Sequence, residues 1–275
     1  MLKKRNIKSI PLLGWQVPIV TDSNHQKAKI LNINKVRIDQ YLKDYDVIVV
    51  AGFQGVDIDG NITSLGRGGS DTTAVAVASA VDADRCDIYT DVDGVYTTDP
   101  NLTKKAKKIK VLSYEEMLEM SSLGAKVMQP ASIQDAKLNK VKIDVKSSFK
   151  NKTGTQIIGR KKIKDTNIIR GVSFTKNDAK VSLLGVKDKP GVAAAIFEPL
   201  YKNSINVDMV VQNISSNGKE TDLTFTIKSD DLLKTKRLIS KNRKIKFKKL
   251  IVDKNVAKVS IVGVGMITTP GVTYR

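Results

Sequence analysis

The chain has 275 residues, and 47 Lys and Arg against 28 Asp and Glu give it a formal charge of +19. Its 41% hydrophobic content excludes a disordered chain and supports about two packed domains. The single cysteine, Cys86, excludes an internal disulfide and fits a reducing compartment; no stretch approaches the about 20 apolar residues of a membrane span.

The amino-terminal residues are basic but lack the apolar core of a signal peptide. The expected location is therefore cytoplasmic, with no membrane contact. The lysines fall in runs: Lys104, Lys105, Lys107 and Lys108; Lys161, Lys162 and Lys164; then Lys241, Arg243, Lys244, Lys246, Lys248 and Lys249. With aromatics at only 5%, base-stacking platforms are scarce. These runs read as solvated faces, and no nucleic-acid partner is expected.

Ile10 to Asp22 mixes apolar residues with Pro11 and Pro18, which suggests a short strand and irregular structure. Asn34 is a candidate cap for a helix carrying Val36, Ile38, Leu42 and Tyr45. Asp46 to Ala51 is an unbroken β-branched run, the pattern of a strand buried on both faces. Gly52 and Gly55 follow it, where open α/β sheets keep ligand loops, and Asp59-Gly60 signals a hairpin.

Leu65-Gly66-Arg67-Gly68-Gly69-Ser70-Asp71-Thr72-Thr73 comes next, and a run of small apolar residues follows as a helix. Glycines let the backbone approach an anion, and a helix start supplies free amides and a positive dipole end. Arg67 adds a planar fork suited to a carboxylate or a phosphate. Ser70 or Asp71 is the expected cap of the helix, which runs to about Ala80.

Cys86 to Thr90 reads as a strand, with Cys86 as a buried small hydrophobe, and Asp91 to Pro100 as an acidic, turn-rich loop. Ser113 and Glu116 form a capping box for a helix stopped by Gly124. Pro130 starts a further helix that ends at Asn139, and Val141, Ile143 and Val145 alternate as a strand with one polar face. Asn151 to Lys164 is the expected domain boundary. Beyond it, strand, helix, strand, strand, helix is the order of a ferredoxin-like α+β unit. Val181 to Val186 with Pro190-Gly191-Val192 recurs as Val259 to Val264 with Pro270-Gly271-Val272.

GRGGSDTTAVAVA from Gly66 and IYTDVDGVYTTDP from Ile88 resemble the aspartate kinases of the amino acid kinase superfamily. The match continues through Ser113 to Leu118, Ser122 to Val127 and Ser147-Ser148-Phe149. Asp188 to Ala193 and Asn206 to Asn213 are similar to the first regulatory ACT domain of those enzymes. The resemblance implies an α/β fold: the C-terminal part of an amino acid kinase-type, mostly parallel sheet, followed by a ferredoxin-like ACT domain. The expected division is a partial catalytic domain over 1–158, a linker and first ACT domain over 159–255, and the start of a second ACT domain over 256–275.

The implied activity is ATP-dependent phosphorylation of the L-aspartate β-carboxylate, with Mg2+ accompanying the nucleotide. This is the first step toward lysine, threonine and methionine. Arg67 and Ser70 correspond to substrate contacts, and Asp71 with Arg67 to the catalytic centre. Thr90, Asp91, Tyr96, Lys126 and Val127 match nucleotide positions. Asn101 stands where the family usually has arginine, and Ala131 where many members do. Asp188, Lys189, Pro190, Gly191, Val192, Ala193, Asn206, Val207, Asp208 and Gln212 match effector positions for lysine or threonine. A homo-oligomer formed through ACT domains is implied, and no resident metal. The family's Lys-Phe-Gly-Gly-Thr segment has no counterpart here, so the chain reads as truncated at both ends and weakly active. The alternative is a catalytically dead, amino-acid-binding regulatory module.

Overall fold

Residues 1–125, 127–163, 167–214, 220–242, 244–267 and 269–272 are described by a computed structural model. They divide into two compact units, Met1–Ser173 with the segment from Ser260, and Phe174–Val259.

In the first unit, β1 (Ser9–Leu12), β2 (Ile19–Thr21) and β3 (Ile30–Ile33) precede α1 (Lys35–Asp44). Asn34 caps α1 as expected, its side chain accepting from the Arg37 amide at 3.1 Å. β4 (Val47–Val50) follows and pairs in parallel with β1. The expectation of burial on both faces fails for β4. Val49 is 50% exposed, because β4 lies in a two-stranded sheet whose Val49 side is open. β5 (Gln54–Val56) and β6 (Ile62–Ser64) form the expected hairpin. Its turn is held by buried Asp57, which accepts from the amides of Asp59 and Asn61.

α2 (Gly69–Ala80), β7 (Cys86–Thr90), β8 (Val111–Ser113), α3 (Tyr114–Ser122), α4 (Pro130–Asn139), β9 (Ile143–Ser147) and β10 (Thr155–Ile158) complete the core. The sheet order is β7-β9-β10-β8, with β7 parallel to β9 and β8 parallel to β10. Leu112, Met117, Ile133, Ile143 and Ile157 are fully buried in one cluster. Each such side chain stabilises the fold by about 1.5–3 kcal/mol. The Ser113–Glu116 capping box is present in both directions, at 3.1 and 2.9 Å. β9 departs from its expected polar face. Asp144 is only 7% exposed, because β9 lies between β7 and β10 and Lys146 bridges Asp144 and Asp87 over it.

The Asn151–Lys164 stretch, expected as a boundary, contains β10. Its polar flanks conceal Thr155 and Ile157, both fully buried between β9 and β8. The compact units change at Ser173 instead. Just before that point Arg170, 3% exposed in its side chain, pairs with Glu116 at 3.4 Å and donates to the Val111 carbonyl.

The second unit is built on β11 (Gly171–Lys187), α5 (Val192–Lys202), β12 (Val207–Ile214), β13 (Glu220–Lys228), α6 (Leu232–Lys241) and β14 (Lys249–Val262). The sheet order is β12-β13-β11-β14. Phe225, Leu183, Ile196 and Leu200 are buried at its centre, and the Phe197 and Phe225 rings meet edge to face at 5.4 Å. β14 adds a fourth strand to the expected order. It runs without a break through residue 256, where a further domain was expected to start.

β11 and β13 are tied by Asp178, which is 3% exposed and accepts from Lys228 at 2.8 Å and from Thr175. Burial pushes the Asp178 carboxyl up, but the hydrogen bonds and the Lys228 charge outweigh it and hold it below its ordinary range. Stability from such a group is present above the unfolded pKa of about 3.9 and is lost as pH falls through the lower folded value. Asp178→Asn should therefore lower the urea midpoint at pH 7, and the gap from the parent should close below about pH 4. A gap that persists unchanged in acid would contradict this account.

Candidate active site

The glycine loop between β6 and α2 is a turn followed by a helix start. The Gly69 amide donates to the Gly66 carbonyl at 3.0 Å, so Arg67 occupies the turn's second position and is exposed. Gly68 has φ 71° and ψ 14°, the third position of a type II turn, which favours glycine. Gly68 is also the helix cap, so neither Ser70 nor Asp71 serves as the expected cap. A left-handed residue at this point leaves Ser70 and Asp71 inside the first turn, with no side-chain hydrogen bond to either among the described residues. The amides there belong to the group that an α-helix leaves without internal acceptors.

Neighbouring segments hold the loop from two sides. Thr73 donates to the Gly69 carbonyl at 2.7 Å and accepts from the Phe53 amide at 3.1 Å. Leu65 donates to the Phe53 carbonyl at 3.1 Å. The segment before α4 closes the other side. A Cβ at Gly68 would lie 1.9 Å from Gln129 Cγ.

Asp71 is half-buried and has no hydrogen-bond or ion-pair partner among the described residues. Burial alone pushes its carboxyl up, despite its place in the first turn of α2. A half-buried carboxyl with no partner among the described residues does not stabilise the fold. Cys86, by contrast, is structural: burial, then the charges of Asp87 and Asp71, push its thiol up to about 11.

A second group of side chains gathers past the C-terminal end of β7. Thr90 Oγ1 donates to Asp91 at 3.0 Å, and the Thr90 carbonyl accepts from Ser148 at 2.8 Å beyond β9. Tyr96 donates to Asp93 at 2.7 Å. This hydrogen bond lowers the Asp93 carboxyl and raises the Tyr96 phenol. Buried Thr155 accepts from the Val95 amide at 2.8 Å and donates to the Ile109 carbonyl at 2.6 Å, which fixes the loop to β10. Val127 packs partly buried on the core, two residues before Gln129, so its segment reaches the glycine loop. Lys126 lies outside the described residues.

Asp188, Lys189, Pro190, Gly191 and Ala193 are exposed at the β11–α5 turn, with Val192 half-buried. Gly191 caps α5 at φ 85°, and the Val192 amide donates to the Lys189 carbonyl at 3.1 Å. Asn206, Asp208 and Gln212 are exposed along the edge strand β12, and Val207 is half-buried. Asp208 pairs with Lys258. Sequence reading passed over Asp93, Thr155 and Gln129. The Asp-Val-Asp spacing pointed to Asp93, but nothing local marked the other two.

Two arrangements define the class: an α/β unit with mostly parallel sheets and a glycine loop leading into α2, and, later in the chain, a βαββαβ unit. Residues 1–147 match the Amino acid kinase family, and residues 181–242 an ACT domain. An aspartate kinase of Pseudomonas putida is 47% identical over 98% of this chain and 66% of its own length. An aspartokinase of Helicobacter pylori is also 47% identical, over 98% of this chain and 67% of its own. The structure of E. coli aspartokinase III with aspartate and ADP superposes with TM-score 0.78 at 26% identity, covering 99% of this chain and 61% of that one. The chain belongs to the amino acid kinase family, in its aspartokinase branch, and spans about two thirds of the length of these curated relatives.

Gly68→Ala tests the packing of the loop. The left-handed backbone alone costs about 1–2 kcal/mol, and the new methyl must displace Gln129. Urea unfolding should show a loss of at least that size. A loss under about 0.5 kcal/mol would mean that the contact is not held in solution.

Proposed function

We propose that the protein is an aspartate kinase: an L-aspartate β-carboxylate oxygen attacks the γ-phosphorus of ATP, the bond to the β-phosphate oxygen breaks, and ADP leaves. The observation that carries this reading is the Gly66–Gly69 turn, with exposed Arg67 at its tip and Asp71, which has no partner among the described residues, in the first turn of α2. Arg67 would grip a substrate carboxylate bidentately, and Ser70 with the α2 amides would complete the cradle. An aspartate side chain has a pKa of about 3.9 and is ionised at neutral pH, so no general base is needed. Asp71 then orients groups at the reacting centre. Phosphoryl transfer asks mainly for positioning and charge neutralisation.

Thr90, Asp91, Tyr96, Lys126 and Val127 are assigned to the nucleotide. For Thr90, Asp91 and Tyr96 support comes from their place at and past the C-terminal end of β7, where α/β sheets bind ligands, and from the ADP in the E. coli relative's structure; Lys126 and Val127 are assigned by resemblance. Mg2+ prefers oxygen donors and takes one or two carboxylates with substrate phosphates. Exposed Asp91 fits that role, and among the described residues there is no group of three metal-ligating side chains. Mg2+ bound there would neutralise charge on the nucleotide phosphates.

The effector reading rests on exposed residues at the start of α5 and along β12. It is supported by the E. coli aspartokinase III structure containing lysine and aspartate, which superposes with TM-score 0.75. Lysine or threonine would bind there, and the feedback would serve the biosynthesis of that amino acid. The exposed edge residues Met209, Val210 and Val211 favour pairing with a second copy. Among the described residues no helix is long and apolar enough to cross a membrane. A cytoplasmic location rests on the lone reduced cysteine.

Hydroxylamine trapping tests the activity. Aspartyl hydroxamate should form only with ATP and L-aspartate together. Arg67→Ala should raise the KM for aspartate about tenfold or more with little change in that for ATP. No hydroxamate above background from the parent, or an Arg67→Ala effect confined to ATP, would reject the reading.

A further inference from the structure

Lys108 belongs to a run of lysines whose sequence reads as a solvated face. Its neighbours Lys104, Lys105, Lys107 and Lys110 are exposed, but Lys108 is not. Its side chain, 25% exposed, donates to the Thr153 carbonyl at 2.7 Å and lies 3.6 Å from Asp93 Oδ2. The other oxygen of the same carboxylate accepts from the Tyr96 hydroxyl at 2.7 Å. Tyr96 and Lys108 are also bridged backbone to backbone, in antiparallel register. Two groups thus meet at one carboxylate, the Lys108 ammonium and the Tyr96 phenol, while the Thr153 carbonyl anchors the ammonium and a main-chain bridge joins the two residues.

This arrangement has a purpose in a loop that carries Asp91, Asp93 and Asp99. A polyphosphate approaching three carboxylates is repelled. At Asp93 that repulsion is offset, because Lys108 pairs the charge and Tyr96 occupies a lone pair. A lysine stem has four rotatable bonds and orders itself only against fixed partners. Here the partners are fixed: buried Thr155 locks Val95 next to Tyr96, and Thr153 lies two residues before it.

We infer that Lys108 is a positioning residue for nucleotide binding: through Asp93 it sets the Tyr96 side chain against the ligand. The inference rests on the assignment of Tyr96 to the nucleotide. Lys108 itself need not touch the ligand.

The test is a double-mutant cycle of Lys108→Met and Tyr96→Phe on the full chain, read by ADP titration calorimetry and by thermal unfolding. Lys108→Met should weaken ADP binding about tenfold, and Lys108→Arg should restore most of it. In the Tyr96→Phe background, Lys108→Met should weaken ADP little further. A double variant whose loss is the product of the two single losses would overturn the inference. So would Lys108→Met that lowers the melting temperature and leaves ADP affinity unchanged, since that marks a merely structural lysine. If the parent binds no ADP, the nucleotide assignment itself fails, and this inference with it. Additive melting effects would then separately deny the Lys108–Tyr96 coupling.

Discussion

Gly68 and Gln129 cannot both be as they are unless position 68 lacks a side chain. A Cβ there would sit 1.9 Å from Gln129 Cγ, and the backbone is left-handed. This one close approach links the β6–α2 loop to the segment that enters α4. It sends Arg67 outward at a turn, starts α2 at Gly69, and leaves Asp71 half-buried with no partner among the described residues. It also brings the segment carrying Val127 beside the glycine loop. Under the proposed assignments, the substrate loop and one part of the nucleotide site share this wall.

Buried polar groups fix the rest of the first unit, and apolar packing supplies most of its stability. Thr155 satisfies one amide and one carbonyl in a fully buried position, and Glu116 serves the capping box while pairing with Arg170. A buried ion pair is weak evidence for net stability, because desolvation offsets most of the attraction. Removing one partner is another matter, since it strands a charge in the core at about 3–5 kcal/mol. Glu116 and Arg170 thus act as locators. They set where the chain stands just before Ser173, where the compact units change.

Much of this was legible in the sequence. Asn34, the Ser113–Glu116 box, Pro130 and Gly124 mark helix ends by local chemistry, and the structure follows them. The Leu65–Thr73 stretch was legible as a glycine turn opening a helix, because glycine spacing and helix onset are local signals. What failed was non-local. The choice of Gly68 over Ser70 or Asp71 as cap depends on Gln129, about sixty residues away. Thr155 looked like linker because its partners, Val95 and Ile109, come from another loop and strand. Val49 reads as buried from its neighbours' character and is exposed because its sheet has two strands. Lys108 was indistinguishable from its lysine neighbours until Asp93 and Thr153 were placed against it.

The central claim is that the glycine loop holds the substrate aspartate. The most direct measurement is a crystal structure of the protein grown with L-aspartate and ADP. The account predicts density for an aspartate carboxylate within about 3 Å of the Arg67 guanidinium and over the first turn of α2. Well-ordered aspartate bound without contact to residues 66–71 would contradict it.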